Sequence, residues 1–439
     1  MTQLRVRASG ALRGRLQVPG DKSISHRTLL LGALADGESR VRGFLRCGDC
    51  LATLACVRML GVEVDETDSS SPSAASVDLV VAGRGRRGLA KPGEPLHCAR
   101  SGTTMRLLAG ILAGQSFASV LTGDPQLLRR PMRRVVEPLR AAGADIEDNG
   151  GRAPLTIRGR GLRGCDHDLA VASAQVKSAL LLAGLNADGP TTVRQPGPAR
   201  DHTERMLAAM GVEIATDGLA VTLRPSGSLA PLALEVPGDF SSAAYPLVAA
   251  TLVHGSGVTL EAVGVNPTRT GLLDVLRAMG AQVVLANKQE QGNEPVADLA
   301  VTGGSLSGVE VGGETVVRMI DEFPILAVAA TQARGTTIVR NAAELRVKET
   351  DRIATVVEEL TKLGARIEGR AGGFVVQGPA RLTGGVVNSH GDHRLAMALA
   401  VAGLLANGEV VVEGAECIDD SFPGFAETMH ALGAGIAAA

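Results

Sequence analysis

One phrase recurs six times along this chain, and the recurrence limits what it can fold into more than any single motif does. Each copy is a polar helix start, an apolar helix, a Gly and a strand. The copies run from Ser25 to Val41 with Gly37 at the turn, Ser101 to Leu121 with Gly114, and Ser173 to Val193 with Gly189. They continue as Ser241 to Leu260 with Gly255, Asp321 to Val339 with Gly335, and Asp392 to Val412 with Gly408. Between them lies a second phrase, an amphipathic helix closed by Gly61, Gly143, Gly211, Gly280, Gly364 or Gly433 and followed by a strand. A glycine takes the left-handed conformation that ends a helix at little cost. These glycines are 68 to 84 residues apart, too far for a solenoid repeat and right for a small α/β layer. The chain therefore reads as six copies of a two-helix unit, and a boundary near 238 leaves three on each side.

The helix starts carry the chemistry. In the first, Asp21, Ser23 and Ser25 are capping types, and Lys22 and Arg27 are interleaved before the apolar run Thr28 to Leu34. A helix start offers unpaired backbone N–H groups and a partial positive charge, which suits an anion. Arg27 falls one turn after Ser23, so the two share a face and close a phosphate-sized pocket. Gly102 to Arg106 and Ser173 to Lys177 repeat that spacing, Arg130 precedes Pro131, and Arg394 follows Asp392. One such start alone equally describes a capped, solvated helix; the repetition favours anion binding.

Composition narrows the classes further. With a formal charge of -2, one Tyr and no Trp, nothing points to nucleic acid. The beginning lacks the apolar core of a signal peptide, and the run near Ala396 to Ala406 is too short to cross a bilayer, so a cytoplasmic protein is expected. Cys47 and Cys50 have redox or metal-ligand spacing, but no second such pair follows; buried reduced thiols are expected. Gly83 to Gly88 fits a dinucleotide fingerprint, yet Pro92 and Pro95 prevent the helix it needs. Leu4 to Val18 reads as two short strands, Asp68 to Ser76 as a surface loop, and Gln289 to Pro295 as a polar excursion between strands.

Taken together, Asp21 to Arg27, Ser101 to Arg106, Arg130 to Met132, Arg346 to Arg352 and Asp392 to Arg394 resemble the EPSP synthase family of enolpyruvyl transferases over nearly the whole chain. Ser173 to Gln175 with Lys177, and Asp321 with Glu322, are similar to its class II branch. The resemblance implies an α/β, two-domain enolpyruvyl transferase fold with six βαββαβ repeats, three per domain around pseudo-threefold axes. Domain I would be 1–20 plus 239–439 and domain II 21–238, joined by a double crossover. It implies transfer of the enolpyruvyl group of phosphoenolpyruvate to the 5-hydroxyl of shikimate 3-phosphate by a monomer, with no metal or organic cofactor. Lys22, Ser23, Arg27, Ser173, Ala174, Gln175, Arg200, Asp321 and Lys348 would hold the acceptor, with Lys177 in support. Lys22, Gly102, Arg130, Gln175, Arg352 and Arg394 would hold the donor, with Arg106 beside them, and glyphosate would compete there. Asp321 would be the base and Glu349 the acid, with Lys348 and Lys22 passing protons.

Some positions depart from the family pattern. Arg100 and Gln126 stand where Asn and Arg or Ser are common, and Asp420 stands where part of the family has a Lys facing the donor; an acid there is expected to lie outside the site. Two rival readings remain. The sister enzyme using UDP-N-acetylglucosamine normally carries a reactive Cys where this chain has Gln126 to Leu128, and a silent anion-binding module would not need Asp321 and Glu349.

Overall fold

The structure, a computed structural model, describes residues 3–69, 75–225 and 227–439. Six helices are apolar and buried on nearly every side: Lys22–Leu34, Gly102–Ala113, Ala174–Gly184, Phe240–Leu252, Phe323–Gln332 and His393–Gly403. They lack a continuous polar stripe, so only an interior position suits them; in the first, eleven of thirteen residues are buried. A second set is only partly buried: Gly48–Met59, Arg133–Ala141, His202–Ala209, Gly271–Ala278, Arg352–Lys362 and Phe425–Ala431. The glycines that close this second set all have positive φ, from 81° at Gly61 to 102° at Gly280, where a Cβ would be strained.

Among the described residues the strands form six sheets of four. In the sheet around Thr191–Arg194, that strand runs parallel to Asp166–Asp168 and antiparallel to Ala220–Arg224, which pairs in turn with Glu213–Asp217. The other five repeat this pattern. The order within a unit is therefore βαβαββ and not the expected βαββαβ. The physical reason is that the parallel pair needs a crossover, which the buried helix supplies, whereas the closing antiparallel pair needs only a tight turn.

Three sheets are completed by strands from far along the chain. Leu4–Arg7 inserts between Asn407–Glu413 and Gly435–Ala438, and Arg13–Leu16 lies beside Gly257–Gly264. Ala233–Glu235 returns to Glu38–Leu45. The buried apolar side chains form two clusters, one drawn from residues 24–236 and one from residues 4–18 and 240–436. The chain passes between them twice, side by side: Asp21 N–H donates to the Pro237 carbonyl at 2.8 Å and Asp239 N–H to that of Pro19 at 2.9 Å. At Gly20 a Cβ would lie 2.3 Å from the Gly43 carbonyl oxygen, so only glycine allows this close approach.

The two short strands near the start are present as expected. Of the expected loop from Asp68 to Ser76, residues 70–74 lie outside the described residues, and the flanks are strand ends. The polar excursion at Gln289 to Pro295 is instead the end of a long hairpin, Gln282–Gln291 with Glu294–Thr302. Gly292 and Asn293 both take positive φ there, the pair of conformations a two-residue hairpin turn needs. Its polar residues are explained by what the tip touches: Arg205 donates to the Asn293 carbonyl at 2.7 Å, and buried Glu294 meets His202 at 2.7 Å.

Candidate active site

The starts of all six buried helices meet at one cavity of about 80 Å³ between the two cores. Lys22 and Ser23, Gly102 and Thr103, and Ala174 and Gln175 come from one side; Asp239, Asp321, His393 and Arg394 come from the other. Side chains cap five of these starts, with Asp21 accepting from Ile24 N–H at 2.9 Å, Ser101 from Thr104 at 3.2 Å and Asp392 from Arg394 at 2.9 Å. Six helix dipoles pointing inward, with Arg27, Arg130, Arg200 and Arg352 also on the wall, favour an anion here. Ser173 and Lys348 line an adjoining cavity of about 230 Å³, which shares Gln175, Arg200, Asp321 and Glu349 with the first. Every residue expected to bind or react except Lys177 thus lies on one continuous surface.

Within that surface the cations are partnered by the protein's own carboxylates. Arg200 meets Asp321 at 2.5 Å, Arg352 meets Glu349 at 2.7 Å and Asp392 at 2.8 Å, and Arg130 meets Glu349 at 3.2 Å. Burial acts to neutralise Asp321, but Arg200, Arg394, Lys348 and Arg352 outweigh it and hold the carboxyl well below the usual range. Glu349 is treated alike, with Arg130 and Arg352 overcoming its burial. Burial disfavours the Lys22 ammonium, yet Asp49 at 2.9 Å keeps it firmly charged. Lys348 makes no hydrogen bond among the described residues, and burial lowers its pKa against the pull of Asp321. His26 is pushed down to about 3 by burial with Lys22 and Arg27 adding, and His393 is lowered by burial, Lys22 and Arg394, so both imidazoles are neutral. The buried Nε atoms of Arg106, Arg130 and Arg394 have no partner among the described residues, leaving donors that an anion would satisfy.

Some expectations change. Lys177 does not reach the cavity; its ammonium is buried against Glu204 at 2.5 Å, because that pairing satisfies a charge the apolar surroundings would otherwise expel. Arg27 lines the wall with its guanidinium already donating to Ser23 O, Thr203 Oγ1 and Ser178 Oγ. Arg106 lines the larger cavity and donates to Gln175 Oε1. Asp420 lines neither cavity, as expected, but it is not idle: it lines a small pocket beside Glu349 and meets Arg100 at 2.8 Å, which neutralises the charge that argued against it. Sequence reasoning missed Asp49, Asp239, Arg269 and His26, which line the cavity. Arg269 belongs to no recognised motif; its buried guanidinium binds Asp21, Asp239 at 3.0 Å and Ser241 Oγ at 2.7 Å, pinning both crossover strands.

The cysteines are free, and all but Cys165 are buried. Among the described residues the one grouping with metal-ligand spacing is Glu358, Glu359 and His390, away from the cavity, and Lys362 already sits 2.7 Å from Glu359. No helix of the described residues is long and apolar enough to cross a membrane.

The profile of the family described as EPSP synthase (3-phosphoshikimate 1-carboxyvinyltransferase) matches residues 6–429. The chain belongs to the EPSP synthase family. It is 51% identical over 419 residues to a 3-phosphoshikimate 1-carboxyvinyltransferase of Herpetosiphon aurantiacus, covering 94% of this chain and 95% of that one. To the same enzyme of Pelotomaculum thermopropionicum it is 53% identical, covering 97% and 98%. A solved structure of EPSP synthase from Acinetobacter baumannii superposes with a TM-score of 0.88 at 42% identity, covering all of both chains. The EPSP synthase match thus extends across both cores and the cavity between them.

Proposed function

We propose that this enzyme transfers the enolpyruvyl group of phosphoenolpyruvate to the 5-hydroxyl of shikimate 3-phosphate, releasing phosphate; its relatives are named as 3-phosphoshikimate 1-carboxyvinyltransferases. The observation that supports it best is the convergence of six helix starts and a ring of cations on one cavity that also holds Asp321 and Glu349. Two substrates bearing phosphates and carboxylates bring about five to six negative charges, taking each phosphate as roughly two. Lys22, Ser23, Arg27, Ser173, Ala174, Gln175, Arg200 and Lys348 hold the acceptor in this reading, and Lys22, Gly102, Arg130, Gln175, Arg352 and Arg394 the donor.

The reaction is addition followed by elimination. The acceptor oxygen bonds to the donor's central carbon while its proton leaves to Asp321 and the methylene carbon gains a proton from Glu349. Return of a methyl proton to Glu349 and departure of phosphate, which carries off the proton held by Asp321, then restore the double bond. With the cavity as described both carboxyls are ionised, which suits a base but not an acid. Entering anions compete with Asp321 and Glu349 for the same guanidinium groups, and each carboxyl that loses an arginine partner binds a proton more readily. Substrate binding itself therefore arms Glu349 as the acid.

In this reading 1–20 plus 239–439 and 21–238 are the two domains, the chain acts as a monomer because one copy supplies the whole cavity, and it works in the cytoplasm. The test is phosphate release from phosphoenolpyruvate by the purified protein, with shikimate 3-phosphate or UDP-N-acetylglucosamine as acceptor. Release with the first alone is expected; release only with the second would transfer the chain to the sister activity.

A further inference from the structure

Arg100 is the last residue before the capping Ser101, on the side of the cavity built from residues 24–236. Its three guanidinium nitrogens are all engaged. Nη1 meets Asp420 at 2.8 Å, Nη2 donates to the Gly391 carbonyl at 2.6 Å, and Nε donates to Gln126 Oε1 at 2.8 Å. Gln126 in turn donates to the Glu349 carbonyl at 3.1 Å. Asp420, Gly391 and Glu349 all belong to the opposite side. One side chain with one helper thus grips three separate loops across the seam; two of them carry residues of the cavity, and the third lines the small pocket beside Glu349. Gly391 precedes Asp392, His393 and Arg394, and its positive φ sets the entry of that helix. The wall opposite Gly391 is Arg100 itself: a Cβ at Gly391 would lie 3.2 Å from Arg100 Nη2. A rigid planar fork engaged at every nitrogen fixes distance and angle, which a flexible ammonium does not.

We propose that Arg100, paired with Asp420 and assisted by Gln126, is a positioning residue that holds the donor-side loops bearing Glu349 and Arg394 in register with Gly102 and Arg130 across the cleft. This rests on reading the cavity as the enolpyruvyl-transfer site. It acts through other residues and touches neither substrate. The grip has a built-in condition. The Asp420 carboxyl is pushed up to about 6, by burial first and then by nearby Asp49 and Asp419, with Arg100 and Lys22 pulling the other way; Arg130, Glu349 and His393 share its pocket. As pH falls through about 6 Asp420 gains a proton and the ion pair with Arg100 is lost.

The experiment compares wild type with Arg100→Ala and Arg100→Lys in steady-state kinetics, thermal unfolding and small-angle scattering of the shikimate 3-phosphate-loaded protein. Arg100→Ala is expected to lower kcat/KM for phosphoenolpyruvate about tenfold at roughly pH 8, the scale of one charge-assisted hydrogen bond, while the KM for shikimate 3-phosphate and the unfolding midpoint hold. The deficit shrinks to about threefold or less near pH 5, where the wild type has lost the same ion pair. Taking the ratio of the two proteins cancels the substrates' own titration. Arg100→Lys, lacking the fork, recovers less than half of the loss, and Arg100→Ala scatters as a more expanded particle. A deficit that is absent, independent of pH, or shared equally by both substrates and the unfolding midpoint overturns the proposal. If the wild type shows no turnover but Arg100→Ala still expands the particle, the functional reading fails and the positioning role stands.

Discussion

The two sides of the molecule meet along two seams, and their ion pairs differ in kind. At the crossover seam Arg269 is enclosed with Asp21 and Asp239, and His202 with Glu294, every side chain no more than 3% exposed. Asn266 adds bonds to Asp201 at 2.6 Å and Glu294 at 2.9 Å. At the cleft seam Arg200 with Asp321 and Arg134 with Glu344 keep 16% to 30% of their surface in contact with solvent. A pair sealed from water has no other partner to exchange with, so removing one member strands the other. A pair at a wet cleft loses little when a ligand anion replaces its carboxylate. The first seam is built to hold, the second to be exchanged.

The largest effect tests the permanent seam. Arg269→Ala strands two buried carboxylates and should cost roughly 3 to 5 kcal/mol of stability, read by urea denaturation; a variant as stable as wild type would erase the distinction between the seams. At the cleft seam, Glu349→Gln should leave the denaturation midpoint and substrate binding near wild type while turnover falls about 100 to 10,000-fold. Retained turnover in that purified variant removes Glu349 from the chemistry.

A smaller effect is expected at Gly102. A Cβ there would lie 2.9 Å from Arg130 Nη1 and 3.0 Å from Arg106 Nη1, the movable ends of two flexible side chains, so folding survives while the donor wall shifts. Gly102→Ala should weaken inhibition by glyphosate, which is longer than phosphoenolpyruvate, at least about tenfold, or roughly 1.4 kcal/mol. Equal inhibition constants for the two proteins would place the inhibitor elsewhere. The smallest effect sharpens the idea of exchange. Asp321→Asn frees Arg200 and Arg352 from a competing carboxylate, so inorganic phosphate should bind about two- to fivefold more tightly by calorimetry even as turnover is lost. Weaker phosphate binding would mean that Asp321 orders those arginines and does not compete for them.

The helix starts were legible because their information is local: Asp21, Ser101, Ser173 and Asp392 cap the helices that follow them, and the closing glycines announce themselves by what only glycine tolerates. Among the residues that line the cavity, Lys22, Gly102, Gln175 and Arg394 lie in the first turn of such a start, whereas Arg130, Arg200, Lys348 and Glu349 do not and were reached only through the family resemblance. What escaped is non-local. Nothing near Arg269 in sequence reveals that Asp21 and Asp239 will converge on it, and nothing near Arg100 points to Asp420. Asp420 taken by itself read as a repelling charge; only the fold supplies its counterion. The order of elements within a unit was misjudged because it was taken from the family resemblance; the two recurring phrases, helix then strand and again helix then strand, already run in the order the structure has.

The borrowed strands give the chain a timetable. A ribosome adding about 5 to 20 residues per second releases Arg13–Leu16 roughly ten to fifty seconds before Gly257–Gly264 exists to receive it. Leu4–Arg7 waits longer still for Asn407–Glu413 and Gly435–Ala438. The core drawn from residues 24–236, by contrast, has its last strand, Ala233–Glu235, as soon as synthesis passes that point. One half of the enzyme is therefore finished while the other still trails two unpaired strand edges from its first residues. Those strands are short and carry two arginines each, the kind of residue that keeps a waiting strand from pairing with the wrong neighbour.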